Sequence, residues 1–555
     1  MIGVIANSGE ESIVREFFEL FKTPWEFYRT GQTYDVVVCT RKEYPQDTVA
    51  RLVLIYRPER TAFDIENKVN VQPGTAPATF SYADHRLPIY GPTATFLNSS
   101  LSLPKAGVPT ESLVFPGKTN KGLVLRIGYN LFQEARTLLT TGQPIDKAQS
   151  PTLELHIGLL RDLITRSGLP LVEIPPIPAE YAFIACLTHD LDHPVIRNHW
   201  LDHTMLGFLY RATVGSAKEF CRGRRSFKDL CRNWLAVVRL PFVYLGMAKD
   251  IWREFERYLQ MEAGLGATYF VIPRKNYAGR EIDGAAQAKR AAGYEISDIK
   301  PELLRIRAQG NEVALHGIDA WMETASGKAE QETLSRTLEF AENAPGIRMH
   351  WLCFNANSPA ILEAAGFSYD SSVGYNETVG YRAGTTQAYI PPGADKLMEL
   401  PLHFMDTAVF SSQFLNLSEA EAKRTAGKLI DDVARFGGAL TINWHDRSIL
   451  PERLWDRFYG ELIGDLKNRK VWFPITAQAV AWFRKRRTAK LSVQCDKQRV
   501  TFSVSASGDA KLPGLRVRVH QPRTWELFNQ ASPTAGSYVD MPFADKLETS
   551  VSLAF

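Results

Sequence analysis

The sequence predicts an α/β protein organised around a parallel (β/α) barrel, with a small α/β domain before it and an antiparallel β module after it. Three observations carry that expectation. Between Tyr181 and His445, short and almost wholly apolar runs alternate with helical stretches, as strands buried on both faces of a parallel sheet do. Several of these runs end abruptly in Asp, His or Arg, at the position where the carboxyl ends of parallel strands collect ligands and chemistry. From Lys490 onward the texture changes to period-two alternation between turn residues, which suits antiparallel strands.

At 555 residues the chain exceeds what one core can bury, and ~150 residues per domain suggests three or four units. A hydrophobic content of 45% with 23% charged residues is that of an ordinary soluble globular protein. The net charge of +4 makes no electrostatic case for nucleic acid, and the basic run Arg484-Lys-Arg-Arg487 reads as a solvated helix end. Six scattered cysteines with no C-x-x-C pair read as reduced, mostly buried thiols. The N-terminus enters a strand without the basic and apolar regions of a signal peptide, and no run reaches the ~20 apolar residues of a membrane span. A cytoplasmic protein with no integral membrane segment is expected; its oligomeric state is not legible.

In residues 1–145, strands are expected at Ile2–Ala6, Tyr34–Cys39, Arg51–Tyr56, Leu87–Tyr90 and from Gly122. Helices are expected at Ile13–Phe21 and Asn130–Leu139. Gly3 and Gly9 make no dinucleotide fingerprint, so the role of this domain is unread. Thr140–Pro151 reads as a linker.

The barrel is expected over residues 146–487. Its strands are Tyr181–Leu187, Ala267–Pro273, Glu312–His316, Gly346–Trp351, Gly366–Asp370, Leu397–Asp406 and Gly438–His445, with helices such as Lys328–Asn343 and Glu419–Phe436 between them. A partly basic helical insertion lies near residues 202–258. Within it, the six apolar residues of Met205–Tyr210 are too few for a membrane-surface helix, and core packing is expected instead. Residues 488–555 read as a small β-sandwich-like module.

The chemistry concentrates where Tyr181–Leu187 gives way to Thr188-His-Asp-Leu-Asp-His193. Two carboxylates, Asp190 and Asp192, beside His189 and His193 suit a divalent metal, although an isolated Asp-x-Asp more often caps a helix. His316, Arg348, His350, Asp370 and His445 end other buried strands. So many polar strand ends are hard to explain as core chemistry, because buried polar groups need partners.

Taken in order, these segments resemble the polysaccharide deacetylases of the NodB-homology type (family 4 carbohydrate esterases). Leu187-Thr-His-Asp-Leu-Asp192 is similar to that family's first motif, and Glu312-Val-Ala-Leu-His316 to the start of its second. Ile347-Arg-Met-His-Trp351 is similar to the third, and Leu440-Thr-Ile-Asn-Trp-His445 to the fifth. The resemblance covers about residues 181–487. It implies a distorted (β/α) barrel of the NodB-homology type that removes N-acetyl groups from a sugar or polysaccharide precursor with a divalent metal, zinc being expected. It makes Asp190 the general base, Arg348 its orienting partner and His445 the general acid. The backbone N–H of Trp351 is the oxyanion donor.

Two departures shape the ligand set. The second motif's second histidine is replaced by Ala320, and His350 stands where the third motif has a proline. The expected ligands are therefore Asp192, His316 and His350, with His189, His193 and Asp319 as substitutes. Asp370 or Asp406 stands in for the fourth motif. Arg382 reaches a substrate anion or sits in a structural ion pair. The rival readings are a metal-independent hydrolase of another small amide, and a non-catalytic carbohydrate-binding or scaffold protein.

Overall fold

Eight parallel strands form the central sheet, in the spatial order Met398–Glu399, Tyr369–Asp370, Gly346–Met349, Glu312–Gly317, Ala267–Val271, Ile184–Leu191, Ala439–Asn443 and Phe404–Met405. The computed structural model describes residues 1–42, 49–82, 84–97, 99, 101, 103–119, 122–280, 290–339, 345–496, 498–523 and 538–553.

Strand Ile184–Leu191 is buried throughout, and successive side chains take opposite faces. Ala185 and Leu187 pack outward with helix residues such as Leu303 and Phe458. Ile184 and Cys186 pack inward with Phe270, Tyr369 and Trp482. Thr188 and Asp190 continue the inward set, and His189 the outward one.

The single strand expected over Leu397–Asp406 is instead two two-residue strands on opposite edges of the sheet. Pro401 lies between them and has no N–H to give a ladder, so the chain cannot stay paired to one neighbour. It crosses between the edges. The N–H groups of Leu400 and Leu402 donate to the carbonyls of Asp370 and Val373, while that of His403 donates to the carbonyl of Thr441. The sheet thereby wraps round on itself.

Before the barrel lies a six-stranded sheet, parallel except at the Val114–Thr119 edge, and a six-stranded antiparallel sheet spanning Val71–Gly74 to Val108–Ser112. Of the second sheet only the Leu87–Tyr90 strand was expected, because its other members are short and rich in Thr, Ser and Pro. After the barrel come two three-stranded antiparallel sheets. One of them takes its edge strand, Leu171–Glu173, from before the barrel. The helix expected at Lys328–Asn343 runs from Thr324 to Leu338, and residues 340–344 lie outside the described residues. Only Cys39 and Cys186 are buried; Cys221, Cys231 and Cys495 are exposed, since helix and edge-strand faces turn them to solvent. No helix among the described residues is long and apolar enough to cross a membrane.

The N-terminal unit carries a pH-sensitive contact. Glu134 is buried and accepts the N–H groups of Tyr90 at 2.8 Å and Gly91 at 2.7 Å. Burial outweighs those two bonds and pushes its carboxyl up to about 7. A carboxyl raised on folding binds extra protons in the native state, so its contribution is complete below the unfolded value and lost as pH rises through about 7. Thermal unfolding should shift to higher temperature as pH falls from about 8 to about 5, and Glu134→Gln should flatten that dependence.

Candidate metal centre with a flanking acid and base

The carboxyl ends of three strands of the central sheet bring Asp192, His316 and His350 together. Their candidate ligand atoms lie within 4.8 Å of one another. Asp192 Oδ1 is 3.5 Å from His316 Nε2 and 3.6 Å from His350 Nε2. His316 ends its buried strand with Nδ1 3.0 Å from the Arg348 carbonyl. A hydrogen on Nδ1 satisfies that carbonyl and leaves the Nε2 lone pair facing the carboxylate, the tautomer a metal ligand needs.

His350 follows strand Gly346–Met349 in a tight turn where Trp351 and Leu352 take φ of 63° and 53°. Left-handed backbone at bulky residues costs about 1–3 kcal/mol each and persists only where surroundings hold it. Here the Arg290 guanidinium donates to the His350 carbonyl at 3.1 Å, and Asn376 Nδ2 to the Trp351 carbonyl at 3.0 Å.

The three side chains fit a divalent ion. Asp192 Oδ1, the oxygen nearest both imidazoles, is buried with no hydrogen-bond partner. Unpartnered buried polar atoms are costly unless a ligand completes them. Burial pushes His350 down to about 3, which keeps its ring neutral and able to ligate. Two imidazoles and one carboxylate form a set that zinc and similar divalent ions accept.

Asp190 lies beside this trio. Arg348 is fully buried; its Nη1 donates to Asp190 Oδ1 at 2.9 Å and to Thr188 Oγ1 at 2.7 Å, its Nε donates to the Ser371 carbonyl, and its guanidinium lies 4.4 Å from the Phe270 ring centroid. Asn443 Nδ2 donates to Asp190 Oδ2 at 2.8 Å, and His316 Nε2 is 3.8 Å from the same oxygen. Burial pushes the Asp190 carboxyl up, but Arg348, His316 and His445 outweigh it and hold it below the usual range.

His445 Nδ1 is 2.6 Å from Asp406 Oδ1, and the His445 N–H donates to Asp406 Oδ2 at 2.6 Å. Ser448 Oγ also donates to Asp406. His445 Nε2 points back to Asp192, 3.8 Å from Oδ2. Burial works against the charged ring, but Asp406, Asp192 and Asp190 raise His445 to about 9.

The remaining candidates lie elsewhere or do other work. His189 is on the outward face, with Nε2 2.8 Å from Glu262 and its ring stacked on Tyr269. His193 donates its backbone N–H to Asp446, and its ring meets His199. Asp319 accepts the Tyr277 hydroxyl and the Arg280 N–H. Asp370 accepts from Ser372 behind Arg348 and is pushed up to about 6 by burial, so Asp406 and not Asp370 stands beside His445. Arg382 donates to the Gly374 carbonyl and lies over Phe354. Among the described residues no hydrogen bond or ion pair joins it to the cluster. Asn443 and Thr188 were not anticipated. Their signal was their place in the strands that also carry His445 and Asp190.

No protein-family model matches the chain, and no curated protein matches it. Among solved structures it is similar to a probable polysaccharide deacetylase from Pseudomonas aeruginosa PAO1, 16% identical, covering 59% of this chain and 98% of that one at a TM-score of 0.35. It is also similar to a protein described as a polysaccharide deacetylase from Mycobacterium smegmatis, at 19% identity, 56% and 95% coverage and a TM-score of 0.31. The Puue allantoinase is 13% identical, with 55% and 91% coverage and a TM-score of 0.32.

Proposed function

We propose that this protein is a metal-dependent hydrolase of a carbon–nitrogen bond, removing the N-acetyl group of a sugar or polysaccharide precursor. One observation carries the reading: an arginine-clamped carboxylate and an aspartate-clamped imidazole each lie 3.8 Å from a member of the Asp192–His316–His350 trio. That is the arrangement amide hydrolysis needs, because one group must take a proton from water and another must give one to the departing nitrogen.

A divalent ion held by Asp192, His316 and His350 would supply Lewis-acid polarisation of the acyl carbonyl. Asp190, kept ionised by Arg348 and oriented by Asn443, accepts a proton from the attacking water. The backbone N–H of Trp351 is assigned to the developing oxyanion. His445 donates from Nε2 to the amine as the C–N bond breaks, and Asp406 stabilises the charged ring beforehand. The acyl group leaves as a carboxylate and the sugar keeps its amine. Trp351 is 39% exposed beside His350, and its face offers the flat apolar surface on which a sugar ring packs.

The test is metal analysis of the purified protein together with acetate release from N-acetylated sugars and hydrolysis of a panel of small amides. Acetate release that requires stoichiometric metal is expected. Asp190→Asn should lower turnover by ~10²–10⁴ while metal is retained. Turnover of small amides after complete metal removal would favour the metal-independent hydrolase. Sugar binding with neither metal nor turnover would make the protein a binding module.

A further inference from the structure

More than half of the exposed large hydrophobic side chains among the described residues lie between Trp200 and Met247, less than a tenth of the chain. This stretch is a helical hairpin inserted after the first barrel strand. One arm is His203–Tyr210 continued through Ser216–Cys221, and the other is Phe227–Tyr244.

The second arm is sorted into three faces. Leu230, Asn233, Ala236, Leu240 and Val243 are buried on the face turned to the first arm, where Asn233 Nδ2 donates to Ser216 Oγ at 2.7 Å. Phe227, Trp234, Val238, Phe242 and Leu245, at steps of seven, four, four and three, line one exposed stripe. Lys228, Arg232 and Arg239, at steps of four and seven, form an exposed basic row along the edge of that stripe. The first arm adds the exposed stripe Leu206, Tyr210 and Val214, with the Lys218 ammonium over the Tyr210 ring. Phe220 meets Phe227 at the turn, and Trp200 meets Tyr244 at the base, so aromatic contacts join the arms at both ends.

A soluble surface does not ordinarily leave so many large apolar side chains uncovered along one hairpin. The basic row beside aromatic and aliphatic residues names the cover, since an anionic bilayer interface offers acyl chains for one and phosphate groups for the other. A second copy fits worse, because an antiparallel two-fold contact on this face would set like-charged rows against each other, and a parallel one would leave both rows without an anionic partner. The 18-residue helix is about 27 Å long, and Lys228, Asp229, Arg232 and Arg239 suit it to lie in the interface and not to span it. It is also held firmly. Arg225 Nη2 donates to the carbonyls of Glu452 and Arg453, just past His445, and the Tyr244 hydroxyl donates to the Ile196 carbonyl.

We propose that this hairpin docks the protein onto a membrane surface rich in anionic lipid, independently of the chemistry assigned to the Asp190–His445 cluster. The full chain should co-sediment with vesicles of mixed phosphatidylglycerol and phosphatidylcholine, and far less with phosphatidylcholine alone. Replacing Lys228, Arg232 and Arg239 by glutamine should weaken binding about fivefold per residue and reduce its salt dependence. Trp234→Glu with Val238→Glu should abolish binding at an unchanged melting temperature, because both side chains are already exposed. No binding to the mixed vesicles at low salt, or binding unchanged in the double variant, would overturn the proposal. So would a concentration-dependent dimer in sedimentation that the double variant dissolves, since it would assign the face to a second copy.

Discussion

His316→Ala is expected to purify folded but without a divalent ion, and therefore without turnover. His316 is one of three candidate ligands, and its Nε2 lies 3.5 Å from Asp192 Oδ1. Even supporting residues outside a ligand set typically cost 10–100-fold in affinity when removed, so loss of a ligand should cost more. His350→Ala should strip the ion equally, while Asp319→Ala and His193→Ala should keep it. Metal stoichiometry by elemental analysis, read beside the melting temperature, separates these cases. Stoichiometric metal in folded His316→Ala would sink the ligand assignment.

His445→Ala should lose turnover by ~10²–10⁴ with its metal and melting temperature intact. An amine departs only if its nitrogen is protonated as the bond breaks, and His445 is the imidazole whose charge Asp406 sustains. The loss should shrink on an acyl substrate whose leaving amine is weakly basic, since such a group needs less help. A structural role would show instead as a lowered melting temperature with an equal loss on both substrates. A ligand role would show as missing metal.

The strand ends were legible because the signal is local. An apolar run that stops at Asp190, His316, Arg348 or His445 reports burial and polarity within a few residues. What escaped depends on distant contacts. Asn443 carries no charge and looks like any residue of a buried strand, yet it meets Asp190 across 253 positions of sequence. Asp406 was one of two alternatives, because nothing near it in sequence marks which aspartate faces His445. The run Leu397–Asp406 is apolar enough to read as one strand, and Pro401 was the available hint otherwise. Met205–Tyr210 was expected to pack in the core, and Met205 and Phe208 do. Leu206 and Tyr210 instead face outward, because an apolar helix does not say which of its sides has a neighbour.

The crossing at residues 400–403 makes the two halves of the proposed chemistry unequal in their dependence on a complete fold. Asp192, His316 and His350 follow strands on one contiguous arc, whereas Asp406 and His445 follow the two strands at the far edge. If the seam parts, as a local excursion short of global unfolding, the arc still holds its ligands while strand Phe404–Met405, paired at two residues, can loosen and carry Asp406 from the imidazole. Such an opened species would retain its ion yet have no anchored proton donor. Amide exchange at Leu400, Leu402 and His403 would measure how often the molecule visits it, and the catalytically competent fraction would be the complement of that population.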